Sequence, residues 1–214
     1  CLQAALPELD EIARGTEPFP AEVGLLIDLA HLGMGWLNGN QGRHRQAIEH
    51  YDRILRRKPN AQLALLSKGT ALTALENFAG AEKLFRRVLE INPKNPYALA
   101  ELGIVQYNRG EDKAAERSFR EALANDNKKY TCPYEGLGLL YLRQGKTDRA
   151  KEHFETAIEL NPNIEYKKYN GLARIYLEQE KYAEAEKLLR KSLANHPHDN
   201  EAADLLAKLS AQKK

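Results

Sequence analysis

Gly145-Lys146-Thr147 has the residue types that close a phosphate-binding loop, in which backbone amides and a lysine surround a polyphosphate. The rest of such a loop is missing, because its first glycine would fall at position 140, which is leucine, and the apolar spacing upstream is that of a helix, not a strand. The tripeptide is expected to be an interhelical turn. The histidines are His31, His44, His50, His153, His196 and His198, and none forms the four-apart pair with glutamate that a zinc protease uses. His196-Pro197-His198 stands at an expected helix end, where imidazoles help satisfy free carbonyls. Cys1 and Cys132 supply neither a four-ligand zinc set nor a disulfide framework. The carboxylates fall on polar helix faces, and no nucleophile, base and orienting group come together. The expectation is a non-catalytic chain with no cofactor and no metal.

The 214 residues are enough to bury a large core without staples. Lys and Arg number 32 against 30 Asp and Glu, a net charge of +2, so there is no global field to hold a nucleic acid. No apolar run approaches the ~20 residues of a membrane-spanning helix. The chain starts at Cys1 instead of Met, which fits a processed product or a fragment of a longer protein. One reading makes Cys1 the lipid-modified first residue of a periplasmic, outer-membrane-anchored assembly factor. Against it, residues 2–14 read as an amphipathic helix and not as a Ser/Gly tether. Cytoplasm and periplasm both stay open, as does the reading of the chain as a regulatory or targeting fragment of a larger enzyme.

What must position any working residue is a repeat. Gly35, Gly69 and Gly103 stand 34 residues apart, and Gly138 and Ala173 follow at intervals of 35. Twelve residues after each comes Ala47, Ala81, Ala115, Ala150 or Ala185, and sixteen after comes Tyr51, Phe85, Phe119, Phe154 or Leu189. Twenty-four after comes Pro59, Pro93, Pro162 or Pro197, with Asn127 the exception. Tyr134, Leu137, Gly138 and Tyr141 share one helical face, and Ala150, Phe154, Ala157 and Ile158 share the face of a second helix. Seven residues after the small one, Gly42, Gly110 and Gly145 supply the loop, while Glu76 and Glu180 stand there in the other two copies. Each unit thus reads as a self-complementary antiparallel hairpin.

Tyr134-x-x-Leu137-Gly138-x-x-Tyr141, Ala150-x-x-x-Phe154 and Pro162 resemble the tetratricopeptide repeat motif. The resemblance implies an all-α, right-handed superhelical solenoid of antiparallel helix hairpins. Five repeats are expected at 28–61, 62–95, 96–130, 131–165 and 166–199, after an N-terminal helix and Pro-containing linker over 1–27 and before a capping helix over 200–214. In that cap Ala203, Leu206 and Ala207 form the apolar side. Extra residues enter near Asn127 to Tyr130 and near Ile164 to Glu165.

The resemblance implies a protein-binding scaffold or adaptor that takes a peptide or helix of a partner in a concave groove. The first-helix face about 100° from the hairpin stripe would line it. The groove residues are Trp36, Leu66, Thr70, Tyr97, Ile104, Tyr107, Leu139, Leu142, Lys167, Asn170 and Arg174, flanked by Leu29, Leu32 and Leu63. The set is apolar over four repeats and basic in the last; packing between neighbouring first helices is the competing explanation. Some related modules bind acidic chaperone tails through Lys, Asn, Asn, Lys and Arg, and the corresponding places here hold Leu32, Trp36, Ser67, Tyr97 and Glu101. That clamp is absent. Residues 1–28 carry six acidic groups against Arg14, and residues 43–58 carry six Lys or Arg against Glu49 and Asp52. The basic run fits the negative end of its helix, an anionic partner, or docking of the acidic N-terminal segment.

Overall fold

The computed structural model describes residues 21–126, 130–162 and 167–212. Among them the chain is all-α, with eleven helices and no strand: α1 Ala21–Asn40, α2 His44–Arg57, α3 Gln62–Ala74, α4 Phe78–Ile91, α5 Pro96–Asn108, α6 Asp112–Asn125, α7 Cys132–Arg143, α8 Thr147–Leu160, α9 Lys167–Glu178, α10 Tyr182–Asn195 and α11 Asn200–Gln212. The helix expected over 2–14, Cys1, Asn127 and the insertion at Ile164 and Glu165 lie outside the described residues.

Proline sets the helix ends by acting on the residue before it, which it drives out of the α region. Lys58, Asn92, Asn161 and His196 each precede a proline, each has φ between −128° and −150°, and each amide still donates to the carbonyl four residues back. Three helices, α4, α5 and α11, start on side-chain caps: Asn77 Oδ1 accepts from the Gly80 amide at 3.0 Å, Asn95 Oδ1 from Ala98 at 3.0 Å and Asp199 Oδ1 from Ala202 at 3.2 Å. In the loops Gly42, Gly110 and Gly145 have φ of 72°, 76° and 71°, and Glu76 and Glu180 adopt the same left-handed turn at φ 58°.

The chain forms two compact units, one ending at Val105 and the other beginning at Gln106, a boundary inside α5. In the first, Ala47, Tyr51 and Ala71 make one cluster, Ala81, Phe85, Leu102 and Val105 a second, and Leu65, Val88 and Ala98 a third. In the second unit, Ala115, Phe119, Ala150, Phe154 and Ala157 are fully buried, and Ala173, Ala185, Leu189 and Ala202 cluster at the α9–α11 end. The small residues of the repeat give the large ones room. A Cβ on Gly35 would stand 2.4 Å from Tyr51, and one on Gly69 2.4 Å from Phe85.

Two local readings differ from the sequence expectation. Residues 21–27, expected in the linker, belong to α1, where Val23, Leu25, Leu26 and Ile27 continue the apolar composition of the helix they extend. In α11 the buried side chains are Ala202 and Leu209, with Leu205 and Leu206 half-buried, while Ala203 and Ala207 are exposed. The bulk of Leu209 outweighs two alanine methyls and turns the helix by about one residue.

Candidate protein-binding surface

Leu29, Leu63 and Tyr97 occupy the same place in successive first helices, α1, α3 and α5, at intervals of 34 residues. They are 55%, 65% and 51% exposed, and Trp36, two turns beyond Leu29 on the same side of α1, is 65% exposed. Isolated exposed leucines are ordinary, whereas a repeated position holding large apolar side chains marks a patch. Leu29, Leu32, Gly33 and Trp36 of α1 and Leu63 and Ser67 of α3 line one open depression of about 380 Å³. Asn95 Nδ2, at the start of α5, donates to Gln62 Oε1 at the start of α3 at 3.3 Å and ties the next helix alongside.

The helix backbone takes up two hydroxyls of α3: that of Thr70 donates to the Leu66 carbonyl at 3.2 Å and that of Thr73 to the Gly69 carbonyl at 3.1 Å. Leu66, expected in the groove, is half-buried and packs against both Val88 and Phe85 clusters, so it supports the face from beneath. Ile104 is half-buried.

The second unit has a different character. Tyr107 is half-buried under Arg143, whose guanidinium carbon lies 3.8 Å above the ring; the same group donates to the Tyr107 carbonyl at 2.9 Å and pairs with Asp112. Leu139 and Leu142 are half-buried on α7. Asn170 is a correction: it is 1% exposed, and its Nδ2 donates to Asp199 Oδ2 at 2.9 Å and to Glu201 Oε2 at 3.3 Å. Capping α11 needs Asp199, and Asn170 holds that carboxylate in place, so its amide is not offered to a partner. Arg174 is exposed, 3.9 Å from Glu201. Lys167 opens α9, and its side chain lies outside the described residues.

The other chemical candidates take up structural places. Lys146 stands at the N-cap position of α8 without a side-chain cap, its Nζ donates to Gln144 Oε1 at 2.8 Å, and Gly145 makes the left-handed turn. His196 ends α10 through its amide to Ser192, at 2.8 Å. Among the described residues no three His, Cys, Asp or Glu are grouped to hold a metal ion, and no helix is long and apolar enough to cross a membrane. Sequence reasoning missed the pair His31 and His50, whose Nδ1 atoms are 3.0 Å apart across α1 and α2. Burial lowers the pKa of both, with each also feeling nearby charge, Asp28 raising and Arg57 lowering that of His31. Their spacing of 19 residues falls outside any metal or catalytic motif, so no local signal marked them.

A family model described as tetratricopeptide repeat matches residues 72–131 and 141–209, and a second matches 32–96. The chain belongs to the tetratricopeptide repeat family. It is 31% identical to the human cell division cycle protein 16 homolog over 83 residues, 39% of this chain and 13% of that protein. It is 36% identical to mouse FK506-binding protein-like over 84 residues, 39% of this chain and 24% of that protein. The chain thus spans a quarter or less of these relatives. A tetratricopeptide repeat protein from Parabacteroides merdae shares the fold, with a TM-score of 0.76, 24% identity, and 98% of this chain and 78% of that chain covered. Tetratricopeptide repeats generally build protein-interaction scaffolds and are typically non-catalytic.

Proposed function

We propose that the first unit binds an apolar or amphipathic segment of a protein partner across Leu29, Trp36, Leu63, Thr70 and Tyr97. The observation that carries the reading is the recurrence of half-exposed or more exposed large apolar side chains at one repeat position, Leu29, Leu63 and Tyr97, beside the exposed Trp36. Tryptophan and tyrosine lose little rotamer freedom for the area they bury, which makes Trp36 and Tyr97 the anchors. With no charged side chain in the depression between α1 and α3, apolar burial supplies the affinity and salt weakens it little.

In the second unit, Leu139 and Leu142 form a smaller apolar surface, with Tyr107 held beneath Arg143 and with Arg174 beside Glu201. We propose it as a separate contact region whose exposed Arg174, with Lys167, favours acidic residues of the partner. Leu63→Asp tests the main reading, because a charge at a 65% exposed site costs the fold little and the interface much. Partner recovery on the Leu63→Asp chain should fall to background, while recovery on Lys83→Ala, an exposed site of α4, stays at the parent level. Equal recovery on parent and Leu63→Asp, with both melting alike, contradicts the assignment.

A further inference from the structure

The solvated side of α1 is apolar along most of its length. Leu25, Leu26, Leu29, Trp36 and Leu37 are 52%, 58%, 55%, 65% and 40% exposed, and the exposed Gly33 stands among them on the same helical side. The charged or titratable side chains between Glu22 and Asn40 are Asp28 and His31, and both are buried against α2: Asp28 meets Arg57 and Lys58 at 2.8 Å, and His31 meets His50 at 3.0 Å. α11 shows what a solvated helix side looks like elsewhere in this chain, since Glu201, Asp204 and Lys208 are exposed there and none of its leucines is. With Leu63 of α3, the apolar side of α1 offers about 600–700 Å² per chain, close to the roughly 800 Å² that each partner buries in a stable pair.

We infer that the occupant of this side is α1 of a second copy of the chain, packed antiparallel about a two-fold axis at Gly33; the inference rests on the reading of this face as a partner site and names that partner. A two-fold contact needs a patch that complements itself, and a surface without charge meets its own copy without like-charge repulsion. The ends of the helix set the direction. Glu22 is exposed at the start of α1, and Arg43 is exposed just past its end, where its guanidinium donates to the neutral Gln41 side chain. Glu22 lies eleven residues before Gly33 and Arg43 ten after it, so antiparallel pairing brings the carboxylate of each copy to the guanidinium of the other. Parallel pairing would bring Glu22 to Glu22. Around the axis, a residue some number of places after Gly33 faces the one as many places before it, so Leu37 of each copy stands over Leu29 of the other. A Cβ at Gly33 would have nothing within 4 Å, which leaves the two backbones free to approach at the axis.

Sedimentation equilibrium of the full chain tests it. The mass should rise from 24.2 kDa toward twice that value as the concentration increases through the micromolar range. Leu26→Asp with Leu37→Asp, both outside the depression between α1 and α3, should weaken association by at least about a hundredfold. Should that variant fail to fold, Glu22→Arg serves instead: it should weaken association about fivefold through its two symmetric contacts, and Glu22→Arg with Arg43→Glu should restore it. In a chain with Cys1→Ser and Cys132→Ser, Gly33→Cys treated with the thiol oxidant diamide should give a covalent dimer, because the axis holds the two Cα atoms within disulfide reach. A mass of 24.2 kDa at every concentration overturns the inference and leaves the face to a different protein, whose loss on Leu63→Asp would still support the partner site. A dimer indifferent to Leu26→Asp with Leu37→Asp overturns it as well, because the copies then meet elsewhere. Association that Arg43→Glu fails to restore contradicts the antiparallel direction. Failure of the partner site itself has a separate signature: a different protein recovered equally by the parent and Leu63→Asp chains.

Discussion

The Phe154 ring of α8 lies so close to Gly138 of α7 that a Cβ there would stand 2.6 Å from its Cε1. The same ring approaches Gly171 of α9, where a Cβ would be 2.3 Å from Cζ. One phenylalanine therefore binds its own hairpin and the first helix of the next, and glycine is what lets both helices approach.

Gly138→Ala should destabilise the chain by about 1–3 kcal/mol, although alanine is the better helix former, because the methyl must displace a ring with no free side. Gly33→Ala is the contrast. Nothing lies within 4 Å of a Cβ at Gly33, and there the helix preference should add up to ~1 kcal/mol. Urea unfolding of the two variants checks the opposite signs.

Glu76 and Glu180 hold φ at 58°, a conformation that costs an ordinary residue about 1–2 kcal/mol. Replacing either by glycine, which Gly42, Gly110 and Gly145 already provide in the equivalent turns, should stabilise by roughly 0.5–1 kcal/mol after the added chain entropy of glycine. Thermal melting of Glu76→Gly and Glu180→Gly measures it.

Desolvation holds His31, His50 and His153 below the ordinary histidine value of 6.5. A folded state with lowered histidine pKa binds fewer protons than the unfolded chain, so unfolding free energy rises with pH through this range. The contribution is fully present above 6.5 and is lost as pH falls through it toward the lower folded-state values. Stability measured from pH 7.5 down to pH 5 should decline. His50→Asn should flatten that slope, since it removes one of the lowered histidines, itself held down by burial and by the neighbouring His31, while His153 preserves part of the decline in the second unit.

Lys146 is an exposed turn residue whose ammonium donates to Gln144 at 2.8 Å and lies 5.6 Å from the centre of the Tyr141 ring. Lys146→Ala should change stability by no more than ~0.5 kcal/mol and leave ATP without effect on the melting temperature of either form.

The repeat was legible because its packing rule is local. Gly138 to Phe154, Gly69 to Phe85 and Gly35 to Tyr51 are separated by sixteen residues within one hairpin, so the contact repeats along the sequence as a spacing. The partner contacts, Gly136 with Phe119 and Gly171 with Phe154, join successive hairpins and leave no motif within one. On the candidate surface, Trp36 and Tyr97 were readable as exposed apolar residues on first helices. Asn170 was not, because its burial depends on Asp199 and Glu201, about thirty residues away. Leu66 and the start of α1 at Ala21 were misplaced for a related reason: helical angle gives the side a residue lies on, while the neighbouring helices decide how deep it sits.

Trp36 is the sole tryptophan and is 65% exposed on the proposed binding face, so its accessibility reports occupancy of that face directly. Acrylamide quenching of Trp36 should drop by about half or more when the recovered partner saturates the chain, since an anchor at the centre of an interface is desolvated. Saturating partner that leaves the quenching constant unchanged would contradict binding at Trp36, Leu29 and Leu63 and put the contact elsewhere on the chain.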